Sequence, residues 1–357
     1  MVMPSLEWEN SSQTVKMIDQ TKLPHKLEFL TISTVSEMAQ AIKTMNIRGA
    51  PAIGVAAAFG MVLAAKEGHN FNLDKFTDSL KQAAELLRAT RPTAVNLFWA
   101  VDRMLSILSN PTISSNENNS LKKEEIYQLM LHEAQEMWQE DIKRNRAIGK
   151  HGAILLKDND TVLTHCNAGS LATVKYGTAL APIRWAVQEE KKTIQVIADE
   201  TRPRLQGARL TAWELQYDQI PVKVQSDNTA GLMMRLGKID KVIVGADRIV
   251  KDAVFNKIGT FMLALAAQYH SIPFYVAAPT STLALEQREK DVEIEQRDGQ
   301  FEVAQVMGFA QESITPKGVH CIDYAFDATP MELVTAVITE DGVFSPEELI
   351  QYYLKDS

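Results

Sequence analysis

Short apolar runs separated by polar residues open the chain. Leu6–Glu9, Val15–Ile18 and Leu27–Ile32 read as strands of a small antiparallel sheet. Thr34-Val-Ser-Glu37 then has capping-box spacing and predicts a helix to about Met45. Asn46-Ile-Arg-Gly-Ala-Pro51 interrupts it, and Pro51 suits the first turn of the next helix. That helix, through Ala65, is apolar on nearly every face and is expected to be buried. Helices are also predicted at about Asp74–Ala89 and Thr93–Ser109. The polar tract Asn110–Ser120 has no apolar periodicity and reads as a loop. A long amphipathic helix, about Lys122–Leu156, comes next and would join the two halves.

After Lys157-Asp-Asn-Asp160 the pattern changes to strand, turn and helix in repetition. Thr161–His165, Thr193–Ala198, Val222–Gln225, Lys241–Val244 and Pro273–Ala277 are Val- and Ile-rich runs separated by helical stretches. Apolar strands alternating with helices predict a mainly parallel, doubly wound sheet. The fold class is therefore α/β, with a smaller α+β domain in front. The expected boundaries are residues 1–121 for the sheet-and-helix domain, 122–156 for the linking helix and 157–357 for the doubly wound domain.

Length and composition narrow the function. A chain of 357 residues with 45% hydrophobic and 23% charged residues is an ordinary globular protein of about two domains. Its net charge of -8 argues against a general nucleic-acid binder, which needs a basic face, but permits a small anionic substrate held by local cations. The apolar stretch Ala50–Ala65 reads as too short and alanine-rich to span a bilayer, and the amino terminus does not read as a signal peptide. Two cysteines, Cys166 and Cys321, make neither a disulfide framework nor a multi-thiolate metal site, so a reduced, cytoplasmic enzyme is expected. No His/Asp/Glu spacing suggests a metal site, and none of the glycine patterns completes a dinucleotide or triphosphate fingerprint.

In a doubly wound sheet, ligands bind beyond the carboxyl ends of the strands. The unusual residues cluster there: His165-Cys-Asn-Ala-Gly-Ser170, Asp199 to Gly207, Ser226 to Gly231, and Gly245-Ala-Asp-Arg248 with Asn256-Lys-Ile-Gly-Thr260 after it. Cys166, between a strand end and a helix start, reads either as an activated thiol or as a small buried hydrophobe. Asp247 closes an apolar run; it reads either as a partly buried general acid or as a partner of Arg248 or a helix cap. Arg48, Arg91 and Lys257 lie in turn-like settings beside helix starts, as phosphate clamps or as solvated surface charges. Arg202 and Arg204 are candidates of the same kind, with Gln206 as a neutral donor. His165 reads as packed or supporting, Cys321 as structural, and the helix around Leu232-Met-Met234 as core.

The segments Ile47-Arg-Gly-Ala-Pro-Ala-Ile-Gly54, Thr164-His-Cys-Asn-Ala-Gly-Ser170, Glu200-Thr-Arg-Pro-Arg-Leu-Gln-Gly207 and Val244-Gly-Ala-Asp-Arg-Ile249 resemble those of the methylthioribose-1-phosphate isomerase family. So do Asn256-Lys-Ile-Gly-Thr260 and Ala277-Ala-Pro-Thr-Ser281, and the likeness runs through nearly the whole chain. The resemblance implies a homodimer with a Rossmann-like carboxy-terminal domain, no cofactor, and conversion of 5-methylthioribose 1-phosphate to 5-methylthioribulose 1-phosphate in methionine salvage. By motif, it assigns Cys166 and Asp247 to catalysis. It assigns Arg48, Gly49, Ala50, Arg91, Gln206, Asn256 and Lys257 to binding the sugar phosphate.

Two rivals remain at this level. One is the same chemistry on 5-deoxyribose 1-phosphate or ribose 1,5-bisphosphate. The other is a non-catalytic protein like the regulatory subunits of the translation-initiation exchange factor, which share the fold. The joint presence of Cys166 and Asp247 in their motifs favours the enzyme.

Overall fold

The computed structural model describes residues 2–92, 94–109, 119–304 and 313–354. Contacts divide the chain into two compact units: Val2–Lys143 with Ser170–Lys175, and Arg144–Gly169 with Tyr176 onward. The boundary falls inside the long helix Asn119–Ala153. Of the stretch expected to form a loop, Asn110–Asn118 lies outside the described residues, while Asn119 and Ser120 begin that helix.

In the amino-terminal unit, β1 (Leu6–Glu9), β2 (Thr14–Ile18) and β3 (Phe29–Ile32) form an antiparallel sheet in sequence order. Helix α1 (Val35–Lys43) starts with the capping box its sequence announced: Glu37 N–H donates to Thr34 Oγ1 and Thr34 N–H to Glu37 Oε2, both at 3.1 Å. Helices α2 (Ala50–Glu67), α3 (Leu73–Arg88), α4 (Val95–Ser106) and α5 (Asn119–Ala153) complete the set. Fourteen consecutive residues of α2, Ala52–Ala65, are buried. By length and composition Ala50–Asn70 could cross a membrane, contrary to the expectation from Ala50–Ala65 alone. Its apolar surface is instead consumed by the protein, with 78% of the window buried. Phe59, Met61, Leu63, Phe76, Leu87 and Met104 share this core, each large side chain contributing roughly 1.5–3 kcal/mol through burial.

The carboxy-terminal unit is built on a seven-stranded sheet. Its strands are β4 (Thr161–Thr164), β5 (Gln195–Asp199), β6 (Val222–Gln225) and β7 (Lys241–Val244). After an excursion through β8 (Arg248–Val250) and β9 (Ala253–Lys257), β10 (Phe274–Ala277) returns to it. Three short strands intervene, β11 (Leu283–Ala284), β12 (Gln296–Asp298) and β13 (Ile322–Tyr324), then β14 (Phe326–Pro330). The sheet is completed by β15 (Ala336–Thr339) and β16 (Gly342–Phe344).

The spatial order is β16-β15-β10-β7-β4-β5-β6, parallel throughout except for β16. Among the parallel strands, chain order runs outward from β4 to β6 on one side and from β7 to β15 on the other. The order thus reverses between β4 and β7, the place where such sheets open a crevice. Alternation along each strand feeds two cores: Leu163, Val242, Val244 and Val276 join one, while Val162, Ile243, Tyr275 and Ile338 join the other. Both faces of β4, β7, β10 and β15 are buried, which is why these strands read as continuous apolar runs, whereas the edge strand β6 is largely exposed.

Two expectations change here. The stretch after Asp247 does not lead straight into a helix; it forms a four-stranded sheet, β11-β8-β9-β14. The helix Ala230–Arg235 is only partly core: Met234 is buried, but Leu232 is 56% exposed, because the helix is short and turns a single face inward.

Candidate active site

Cys166 lies two residues beyond β4 and Asp247 three beyond β7. Those strands are neighbours, with Leu163 opposite Val242, so both residues emerge beside the reversal point. The half-buried Cys166 has φ +61°, a left-handed conformation that is uncommon for a residue with a Cβ. Its N–H donates to Thr201 Oγ1 at 2.8 Å, and its carbonyl accepts from Thr211 Oγ1 at 2.6 Å. Thr211 closes a π-helical turn, Gly207–Thr211, in which Ala212 N–H reaches back five residues to the Gly207 carbonyl. Asn167, next along the loop, donates to Thr211 Oγ1 at 3.0 Å and to Glu214. Glu214 is bound in turn by Arg184, which also donates to Asp218 at 2.6 Å; all three side chains are about 2% exposed. Gly169 is required beside this group, since a Cβ there would sit 2.1 Å from the Glu214 carboxylate.

Asp247 is exposed, which corrects the expectation of partial burial. The apolar run ends at Gly245 and Ala246, and Asp247 stands in the turn where its N–H donates to the Phe255 carbonyl at 2.9 Å. A strand, β8, begins directly after it, so Asp247 caps no helix.

Lys257 is the opposite surprise. Read as a cation in a turn, it ends strand β9 and is buried, its ammonium donating to the Ala325 carbonyl at 2.8 Å and lying 4.8 Å from the centroid of the Phe326 ring. Desolvation holds its pKa below the usual lysine value, while the charges of Cys166 and Asp247 act in the opposite sense. The field of both candidate catalytic groups therefore reaches this one ammonium. Asn256 is buried beside it, donating to Thr260 Oγ1 at 3.0 Å. Gln206, at the start of the π-helical turn, is buried with its Oε1 atom lacking a partner among the described residues. Arg204 binds Glu302, and Arg202 donates to the Val303 carbonyl at 3.0 Å.

His165, Asp199 and Asp227 bring their ligand atoms within 4.8 Å of one another, a cluster that sequence spacing did not reveal. Their hydrogen bonds show a structural role. His165 Nε2 lies 2.9 Å from the Ile258 carbonyl, and Nδ1 lies 3.0 Å from Asp199 Oδ2. Asp227 accepts the N–H groups of Thr201 and Arg202, both at 2.7 Å. Asp327 accepts the N–H groups of Gly259 and Phe261, fixing the start of the helix Thr260–Tyr269 beside Lys257.

The other four binding candidates belong to the amino-terminal unit. Arg48 Nε donates to Gln20 Oε1 at 3.2 Å, and Gln20 donates to the Leu171 carbonyl at 2.8 Å. Gly49 precedes α2 with φ +97°, and a Cβ there would meet Ala172 Cα at 2.4 Å. Ala50 is the first residue of α2, where backbone N–H groups lack helical partners. Arg91 is half-buried in the turn after α3. Thr201, Thr211, Glu214, Arg184 and Asp327 were not singled out from the sequence. Thr201 stood inside the Glu200–Gly207 motif and Asp327 inside the Phe326-Asp-Ala-Thr-Pro330 segment to which the resemblance extends, whereas Thr211 carried no signal because its importance depends on the irregular turn.

Comparison with known proteins adds the context for this geometry. The model of the Initiation factor 2 subunit family matches residues 46–346. A protein of Thermosipho africanus named methylthioribose-1-phosphate isomerase is 51% identical, covering 96% of this chain and 95% of its own. The crystal structure of 5-methylthioribose 1-phosphate isomerase from Pyrococcus horikoshii superposes with a TM-score of 0.89 at 41% identity, over 99% and 96% of the two chains. A structure described as translation initiation factor eIF-2B, subunit delta, from A. fulgidus gives 0.86 at 47% identity, over 98% of each.

Proposed function

Because the chain belongs to the Initiation factor 2 subunit family, we propose that within it this protein acts as the enzyme converting 5-methylthioribose 1-phosphate to 5-methylthioribulose 1-phosphate. It is an aldose–ketose isomerase of methionine salvage. The observation that carries the reading is the placement of Cys166 and Asp247 at the ends of adjacent parallel strands, flanking the reversal point, with Lys257 in the field of both.

The substrate dictates what these groups must do. Phosphate on the anomeric oxygen prevents ordinary hemiacetal opening, so the ring oxygen has to leave with assistance. Asp247 is the proton donor to that oxygen; the protein leaves it exposed, and the bound sugar supplies its cover. Cys166, as thiolate, takes the C2 proton, and the resulting enol is reprotonated at C1 to give the C2 ketone. In the alternative route hydride passes from C2 to C1 and Cys166 stabilises the developing charge. Lys257, Asn256 and Gln206 bind the sugar phosphate, as do Arg48, Gly49, Ala50 and Arg91. A buried ammonium with lowered pKa gains charge stabilisation from an incoming phosphate and pairs strongly with it.

The protein is further proposed to be cytoplasmic and a homodimer. Exposed apolar residues on and beside the helices Ala230–Arg235 and Thr260–Tyr269, including Leu232, Leu236, Met262 and Tyr269, support a self-association surface. Sedimentation equilibrium at micromolar concentration tests it, and a monomer there rejects it.

The eIF-2B delta structure at 47% identity favours a second reading, a regulatory subunit without turnover. A carbon and phosphorus NMR time course, with chelator present, decides between them. Appearance of a C2 ketone from 5-methylthioribose 1-phosphate is the expected result. Preference for 5-deoxyribose 1-phosphate keeps the chemistry and changes the substrate. Absence of turnover of either sugar by folded protein overturns the enzyme.

A further inference from the structure

We propose that Thr201 and Thr211 are positioning residues of this reaction, their two hydroxyls clamping the backbone of Cys166 in its left-handed conformation and so fixing where its thiol stands. The proposal rests on the reading of Cys166 as the reacting thiol.

A residue with a Cβ at φ +61° is strained, and that conformation persists only where its surroundings over-determine it. Here both backbone polar groups of Cys166 are taken by side-chain hydroxyls. The Thr201 hydroxyl donates its one proton to the Asp199 carbonyl at 3.0 Å, so toward Cys166 N–H it is purely an acceptor. The Thr211 hydroxyl spends its proton on the Cys166 carbonyl and accepts from Asn167 Nδ2. The polarity of the whole chain of bonds is thereby fixed, and no alternative proton arrangement satisfies it equally. Both threonines are fully buried, so water cannot replace either hydroxyl.

Each arm of the clamp is itself held. Thr201 has φ +65°, and its N–H is bound by Asp227. Thr211 is carried to the loop by the π-helical turn, a feature frequent at functional sites. Behind it, the buried Arg184 with Glu214 and Asp218 holds Asn167. An ion-paired group inside an α/β core has a high desolvation cost, and its connection to the Cys166 loop gives it a use beyond stability.

The test uses full-length Thr201→Val and Thr211→Val, which keep shape but delete the hydroxyl, with Thr201→Ser and Thr211→Ser as rescues. Each Val variant is expected to lower kcat by about tenfold to a hundredfold while KM stays within about twofold, and each Ser variant to restore kcat. The second readout is the pH profile of Cys166 alkylation by iodoacetamide in a Cys321→Ala background. It shifts in the Val variants and not in the Ser variants. Val variants with wild-type kcat and alkylation profile overturn the clamp, as do Ser variants as impaired as Val. Because alkylation needs no sugar, a shifted profile in a protein that turns over neither sugar phosphate upholds the clamp and rejects the assigned activity.

Discussion

His165 and Asp199 share a proton in the core of the carboxy-terminal unit, Nδ1 standing 3.0 Å from Oδ2. The Ile258 carbonyl can only accept, so Nε2 is protonated, and the proton between Nδ1 and Oδ2 keeps the pair neutral overall. Desolvation pulls the imidazole pKa down, but the hydrogen bond and charge of Asp199, with the Ile258 carbonyl, more than reverse it. The folded value lies above the unfolded 6.5, so the stabilisation is complete below that pH and is lost as pH rises through the raised value. The melting-temperature gap between wild type and His165→Gln is expected to shrink as pH goes from about 6 to about 9. Scanning calorimetry across that range checks it, and a gap that widens rejects the shared proton.

Cys166→Ser and Asp247→Asn should each reduce kcat by about 10²–10⁴, the usual worth of a group that moves a proton in the transition state. Neither should move the melting point much, since Cys166 is half-buried and Asp247 exposed. Steady-state turnover paired with thermal melts separates the roles. A variant retaining wild-type kcat loses its place in the mechanism.

Lys257→Met retains the buried stem beside Phe326 and removes the charge. Its KM is expected to rise by about tenfold or more, with a smaller change in kcat, as for a group that binds phosphate alike in ground and transition states. Arg91→Ala should behave the same way. Initial-rate kinetics over a range of sugar phosphate concentrations read both, and an unchanged KM in either removes that residue from the binding set.

Gly49→Ala combines a φ of +97° with a Cβ 2.4 Å from Ala172 Cα, backbone that cannot swing aside. The cost should be about 2–4 kcal/mol of stability, more than ordinary left-handed strain alone. Urea unfolding measures it, and a loss below about 1 kcal/mol would mean the Ser170–Lys175 segment yields.

Much of this architecture could be read from the chain. The inner parallel strands announced themselves because both faces are buried, so apolar residues occupy consecutive positions, while the exposed edge strand β6 keeps Lys223 and Gln225 between and beside its valines. The helix at Ala50 was legible for the same reason, and the capping box of α1 was local. What escaped depended on partners distant in sequence. Strand β9 pairs locally with β8, but its Lys257 end is fixed by pairing with Phe326, nearly seventy positions on, which no local pattern announces. That pairing also explains why Lys257, expected at the surface, is buried. Asp247 erred in the other direction, since an apolar run tells where a strand lies and not where its last turn opens to water. The cysteine and aspartate were singled out by type and place, whereas Thr211 was invisible because an ordinary helix would have pointed it elsewhere.

The wide turn at Gly207–Thr211 has a consequence for how this protein can vary. It accommodates one residue more than a regular helical turn, and each residue added or removed rotates the rest of the helix by about 100° around the axis. Deleting one position there would straighten the helix, an apparent improvement in regularity, and carry the Thr211 hydroxyl away from the Cys166 carbonyl. In an alignment, a single-residue gap within Gln206–Thr211 therefore signals a rebuilt thiol pocket, where the same gap in a surface loop would pass as length variation.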